Sequence, residues 1–243
     1  MAAGAWPIDA ERILVVSPHL DDAVLGCGDV IAARPGAVVV TVFAGSPPPR
    51  PAPTDWDAAS GFAPGEDAVA RRRDEDHEAL AVLDARPVWL PFLDAQYEAP
   101  AAPGEIAERL AKAVADAAPD AVLIPVGLWH ADHRLAHEAA VECMPRCRPV
   151  AWLAYEDAIY RAFPDAGLDA RRRWLRERGI DAVSLGPGPP ASPLKRRSIE
   201  CYRSQVRALG GPLGPGWGDA LEPERYWRLW PIAAPTATAP RVT

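Results

Sequence analysis

Arg12-Ile13-Leu14-Val15-Val16-Ser17-Pro18-His19-Leu20-Asp21-Asp22 is the stretch that decides the fold. An aliphatic run without polar alternation reads as a strand covered on both faces, which points to a parallel sheet. The His-x-Asp-Asp cluster sits at its end, where ligands bind in such sheets. The same succession recurs downstream. Ala121-Val122-Leu123-Ile124 is followed, a few residues on, by His130-Ala131-Asp132-His133. Both clusters therefore fall on one edge of a sheet, after the first and fourth strands.

Outward from these anchors, apolar runs alternate with helical spacing. Strands are predicted at 12–17, 37–44, 87–93, 121–125 and 150–155, with another at 182–185. Helices are predicted at 22–33, 68–83, 103–117, 132–143 and 193–209. Ile106, Leu110 and Val114 recur every four residues, which fits one buried helix face. Such alternation predicts an α/β fold, a Rossmann-like, mostly parallel sheet with helices on both faces. Six prolines between Ser46 and Gly65 exclude a regular element there. The tail after Trp230 is rich in Pro, Ala and Thr and is expected to be mobile. The domain expectation is one unit over 1–230 and a tail over 231–243.

The chain has 243 residues and a net charge of −7, which argues against a broad nucleic-acid surface or an anionic-membrane surface. Arg71–Arg73 and Arg171–Arg173 read as solvated helix faces. No apolar run approaches the ~20 residues that span a bilayer. No basic-then-apolar leader is visible, and four scattered cysteines do not make a disulfide scaffold. A cytoplasmic protein with reduced thiols is expected. Oligomeric state leaves no mark in the sequence.

Two histidines and one aspartate suit a zinc ion and leave a position for water. Other divalent ions also fit His and Asp donors. His19 and Asp22, three apart, can share a helix face, and either His130 or His133 can complete the set. The retained positive charge acidifies water and polarises a carbonyl. Asp21 then stands beside the water as a base. An imidazole suits protonation of a leaving amine near neutral pH. The competing reading of Asp21 or Asp22 is a helix cap. His137 reads as a helix residue. Trp56 and Phe62 on the proline-rich loop, and Trp129 beside His130, can stack on rings. Arg72 can hold a hydroxyl or phosphate, or instead pair with Glu75.

At His19-Leu20-Asp21-Asp22 and His130-Ala131-Asp132-His133 the chain resembles the LmbE-like (PIG-L) zinc deacetylases of N-acetylglucosaminyl conjugates. Arg72 with Glu75, and Lys195 with Tyr202-Arg203-Ser204-Gln205, extend the match over about residues 12–205. The resemblance implies His19, Asp22 and His133 as zinc ligands and Asp21 as general base. It implies His130 as general acid or oxyanion partner, oriented by Asp132. Ala23, Leu128 and Ala131 depart from residues frequent in the family: a glutamate, a tyrosine of the mycothiol-pathway subgroup, and a proline. The His-Leu-Asp-Asp-Ala-Val-Leu form is closer to members acting on glycosylated natural products. The substrate expected is an acylated amino-sugar conjugate. Rival readings are an amidase for another acylated amine, such as a mycothiol-type conjugate, and a non-catalytic metal-dependent binding protein. No Gly-x-Gly-x-x-Gly follows the first strand, so no dinucleotide is expected.

Overall fold

The structure is a computed structural model and describes residues 7–97, 101–148, 150–211 and 214–232. The run at Ile13 forms β1 (Ile13–Ser17), inside a seven-stranded sheet. Its partners are β2 (Val38–Thr41), β3 (Arg86–Trp89), β4 (Ala121–Pro125), β5 (Ala151–Tyr155), β6 (Ile180–Pro187) and β7 (Arg225–Pro231). The order is β3-β2-β1-β4-β5-β7-β6. β3 through β5 pair in parallel, while β7 runs antiparallel to both β5 and β6.

Alternation along β1 distributes its side chains to two cores. Ile13 and Val15 pack with α1 (Asp22–Ala32), α3 (Ala68–Val82) and α7 (Pro193–Cys201). Leu14 and Val16 pack with α4 (Pro103–Ala117) and α5 (Ala131–Cys143) on the other face. Ile106, Leu110 and Val114 are the buried stripe of α4, as their spacing predicts. Each fully buried aliphatic side chain of this kind contributes about 1.5–3 kcal/mol. α1 is buried nearly all round, and Gly26 permits it: a Cβ there would lie 2.7 Å from Tyr155 Cδ2.

β1 and β4 are sheet neighbours, but the chain leaves them toward opposite sides, β2 beyond one and β5 beyond the other. Their carboxyl ends therefore flank the switch point, the place where open α/β sheets form a crevice.

Four expectations are corrected. The proline-rich stretch contains a short helix, α2 (Asp55–Ser60), capped by Thr54 Oγ1 accepting from Asp57 N. The helix predicted over 193–209 is two helices, α7 and α8 (Arg203–Leu209), separated at Tyr202 with ψ 55°. Pro231, assigned to the tail, closes β7, and residues 233–243 lie outside the described residues. Finally, the arginine runs are not wholly solvated. Arg72 and Arg171 are buried, Arg171, on α6 (Leu168–Glu177), through Glu138 at 2.9 Å and the Trp174 ring at 4.6 Å. The four cysteines are free thiols, and no helix among the described residues is long and apolar enough to cross a membrane.

Candidate active site

The turn after β1 is built by Ser17, whose Oγ accepts from Ala23 N at 2.9 Å and donates to His19 O at 2.6 Å. Asp21 holds the N-cap position of α1 but makes no side-chain capping bond, so its buried carboxylate faces the neighbouring cavity. Asp22 Oδ2 accepts from His19 N at 2.8 Å. After β4, a positive φ of 83° at Gly127 lets the chain turn, where a Cβ would meet His137 Cβ at 2.9 Å. Trp129 follows at φ 54°, and His130 N donates to Leu128 O across it at 2.6 Å. Such a tight turn at a non-glycine residue is strained, as functional loops often are. His130 then caps α5, its Nδ1 accepting from Asp132 N at 3.2 Å.

The two clusters meet. The His19 ring lies 5.3 Å from His133 and 5.2 Å from His130, centroid to centroid. His19 Nδ1 and His133 Nε2 each lie 3.1 Å from Asp22 Oδ2. His133 Nε2 is buried and, being misaligned with that oxygen, has no hydrogen-bond partner. The far nitrogen of each ring is held by a carboxylate. Asp132 Oδ2 lies 3.1 Å from His19 Nε2, and Asp157 Oδ1 lies 2.6 Å from His133 Nδ1. Carboxylates behind imidazoles are the usual support of metal-ligating histidines. An orphaned nitrogen converging with a second ring and a carboxylate fits a divalent cation.

A second set, His19, His130 and Asp132, also brings ligand atoms within 4.8 Å of one another. There His130 Nδ1 is committed to Asp132 N, and Asp132 Oδ2 is shared by His19 Nε2 and Ala95 N. The set of His19, Asp22 and His133 is the one with an unpartnered donor atom. His137 belongs to neither: its Nδ1 donates to Pro125 O at 2.7 Å, and its ring packs on Trp174.

Charge is concentrated here. Burial, reinforced by the Asp22 charge, raises the Asp21 carboxyl to about 7. Burial opposes ionisation of Asp22, yet the His133 cation holds it well below the carboxylate range. Burial likewise opposes His133, but Asp22 and Asp157 carry it up to about 9. These carboxylates thus favour positive charge at this point. Burial, with His19 and His133 nearby, lowers His130 to about 4. A neutral His130 accepting at Nδ1 carries its proton on Nε2.

The cavity beside the cluster is about 750 Å³. Trp56 and Trp129 line it, whereas Phe62 lies under the Arg72 guanidinium at 5.2 Å. Arg72 also lines the cavity, and the pairing with Glu75 is not found. Its Nη1 pairs with Asp57 at 2.8 Å and its Nη2 donates to Ser60 Oγ at 3.0 Å, while Glu75 accepts from Ser204. Asp132 is corrected too: its carboxylate holds His19, and only its backbone N–H reaches His130. Lys195 is buried against Glu224 at 2.8 Å, whereas Gln205 lines the cavity.

Asp157, Asp94 and Tyr160 carry no motif and escape sequence reading. Asp157 lies two residues past β5, on the same edge as the clusters, which is the signal that finds it. Its Oδ2 accepts from Gly127 N and Leu128 N at 2.9 and 3.0 Å. One carboxylate thus fixes both the His133 tautomer and the turn before it. Asp157→Asn is expected to weaken metal retention by about 10–100-fold. Competition with a chromophoric chelator measures it, and unchanged retention would remove the supporting role.

The profile of a family described as GlcNAc-PI de-N-acetylase, PIG-L, matches residues 14–144, more than half the chain and both clusters. The chain belongs to the PIG-L family. A relative at 31% identity, covering 92% of this chain and 91% of its own, is the 2'-N-acetylparomamine deacetylase of Streptomyces fradiae. The A40926 pseudoaglycone deacetylase is 29% identical, with TM-score 0.72 and coverage of 93% and 99% of the two chains. The zinc-inhibited teicoplanin deacetylase shares the fold, with TM-score 0.76 at 24% identity and coverage of 90% and 98%. As a PIG-L protein the chain is a de-N-acetylase, a hydrolase of C–N amide bonds, and its fold is that of the LmbE-like deacetylases.

Proposed function

We propose that this chain removes an N-acetyl group from an amino sugar carried on a small-molecule natural-product conjugate, using zinc. The observation that carries the reading is the convergence of His19 Nδ1, Asp22 Oδ2 and the orphaned His133 Nε2 beside a spare Asp21 carboxylate. The deacetylases of paromamine and A40926 support the substrate class.

His19, Asp22 and His133 would hold the ion, which when bound acidifies water and polarises the amide carbonyl. Asp21 takes the proton from the attacking water. His130 presents its Nε2–H to the oxygen that gains charge. The proton on Asp21 is then available to the departing amine. Asp132 and Asp157 keep the two ligand rings from turning.

The zinc-loaded protein should be incubated with N-acetylated aminoglycosides, an N-acetylglucosaminyl glycopeptide, a mycothiol-type conjugate and free N-acetyl amino acids. Mass spectrometry is expected to show acetyl loss from antibiotic conjugates and none from amino acids. Turnover of the mycothiol-type conjugate alone, or of amino acids alone, would overturn the substrate class. Inertness toward all would favour a binding protein.

A further inference from the structure

Away from the metal cluster, two sulfurs stand close together. α5 ends at Cys143, and Met144–Arg146 continues as one tight 3-10 turn that stops at Cys147. Cys147 Sγ lies 3.3 Å from Cys143 Sγ, and it also donates to Cys143 O at 3.3 Å. A disulfide needs about 2.05 Å between sulfurs, so this pair is about 1.2 Å short of bonding distance. Cys147 is past the end of the turn, with φ −93° and ψ 155°, so a helix does not hold it back from that short approach.

The two thiols are unlike. Cys143 is fully buried, and burial, with its hydrogen bond to Cys147, pushes its thiol up. Cys147 is half-buried and sits between the exposed Arg146 and Arg148. Arg146 pairs with Glu142 at 2.7 Å, whereas Arg148 donates to Pro119 O and has no ion pair among the described residues. That charge draws an anionic reagent toward Cys147. An accessible thiol with a shielded thiol beside it divides the work of thiol–disulfide exchange: one meets the reagent, the other resolves the adduct. Cys201 offers a comparison within the same chain. It too is half-buried, but its Sγ bonds to Arg197 O at 3.5 Å and, among the described residues, no second sulfur is within hydrogen-bonding reach.

We propose that Cys143 and Cys147 form a dithiol that a low-molecular-weight disulfide of the glutathione type converts reversibly to an internal disulfide. The Cys147 thiolate attacks one sulfur of the reagent. The reagent S–S bond breaks, and the thiolate released takes up the proton that Cys147 lost. Cys143 then attacks Cys147 Sγ. The bond from Cys147 to the reagent breaks, and the second reagent thiol leaves with the Cys143 proton. The protein gives up two electrons and two protons, and the reagent gains both. Closure keeps Cys147 off the irreversible steps of thiol oxidation. His130 and His133 lie at the opposite end of α5, so the inference stands apart from the deacetylase reading.

The test treats the whole protein with excess oxidised glutathione, quenches in acid, alkylates in denaturant and digests with trypsin. Cleavage after Arg146 separates the two cysteines, so the internal bond is read as two joined peptides, unalkylated and free of glutathione. That product is expected from the wild type, and dithiothreitol is expected to restore both thiols. Cys143→Ser is expected to retain glutathione on Cys147. Cys147→Ser, a change outside the buried core, is expected to leave Cys143 free of glutathione. A stable glutathione adduct on wild-type Cys147, or both thiols still alkylated after the oxidant, overturns the proposal. Glutathione on Cys143 in Cys147→Ser overturns the order of attack.

Discussion

Asp21→Asn is expected to keep its metal and lose turnover by about 10²–10⁴-fold, the usual contribution of a positioned proton acceptor. The substitution preserves shape and removes only the basic oxygen. The capping bonds of α1 do not depend on this side chain, since Ser17 Oγ serves Ala23 N and the Asp21 backbone carbonyl accepts from Val24 and Leu25. Asp22 and its two histidine neighbours do not need the Asp21 side chain to stay in place. Single-turnover mass spectrometry and metal analysis on one preparation read both halves. Wild-type turnover in this variant would remove Asp21 from proton transfer. Loss of the ion would make it part of the metal donor set.

His133→Ala is expected to lose the ion and lower the melting temperature together. The ring is buried between Asp22 and Asp157. Outer partners alone change metal affinity by about 10–100-fold, so removing this ring should cost more than about 100-fold. It also strands two buried carboxylates, and breaking a buried pair typically costs about 3–5 kcal/mol. Metal analysis and thermal unfolding with and without chelator separate the two effects. If chelator still shifted the melting temperature as in the wild type, His133 would not hold the ion.

Much of this was readable in the chain. The unalternating runs at Ile13, Val38 and Ala121 are strands because both faces are covered, and burial leaves a direct compositional trace. The clusters were legible because a strand end is a fixed place in an open sheet. β7 was not, since Arg225 and Arg228 interrupt its aromatic run before a Pro- and Ala-rich tail. α2 was hidden by applying the proline rule to the whole loop. The prolines flank Thr54–Ser60 rather than enter it. The pairing of Asp132 with His130 came from the family resemblance rather than from the residues themselves. The Asp132 carboxylate instead reaches a ring 113 residues away, a contact that pairing of β1 with β4 creates.

That pairing has a consequence for how the protein is assembled. His19 and Asp22 leave one strand and His133 follows another, and the strands are neighbours only in the finished sheet. In an unfolded chain the two clusters lie far apart along the sequence, so these three donors do not converge. Binding to the native state alone is therefore linked to folding, and each tenfold excess of ion over its dissociation constant adds about 1.4 kcal/mol of stability. An ion held by His19, Asp22 and His133 would thus stabilise the finished sheet, and chelation is expected to lower the melting temperature.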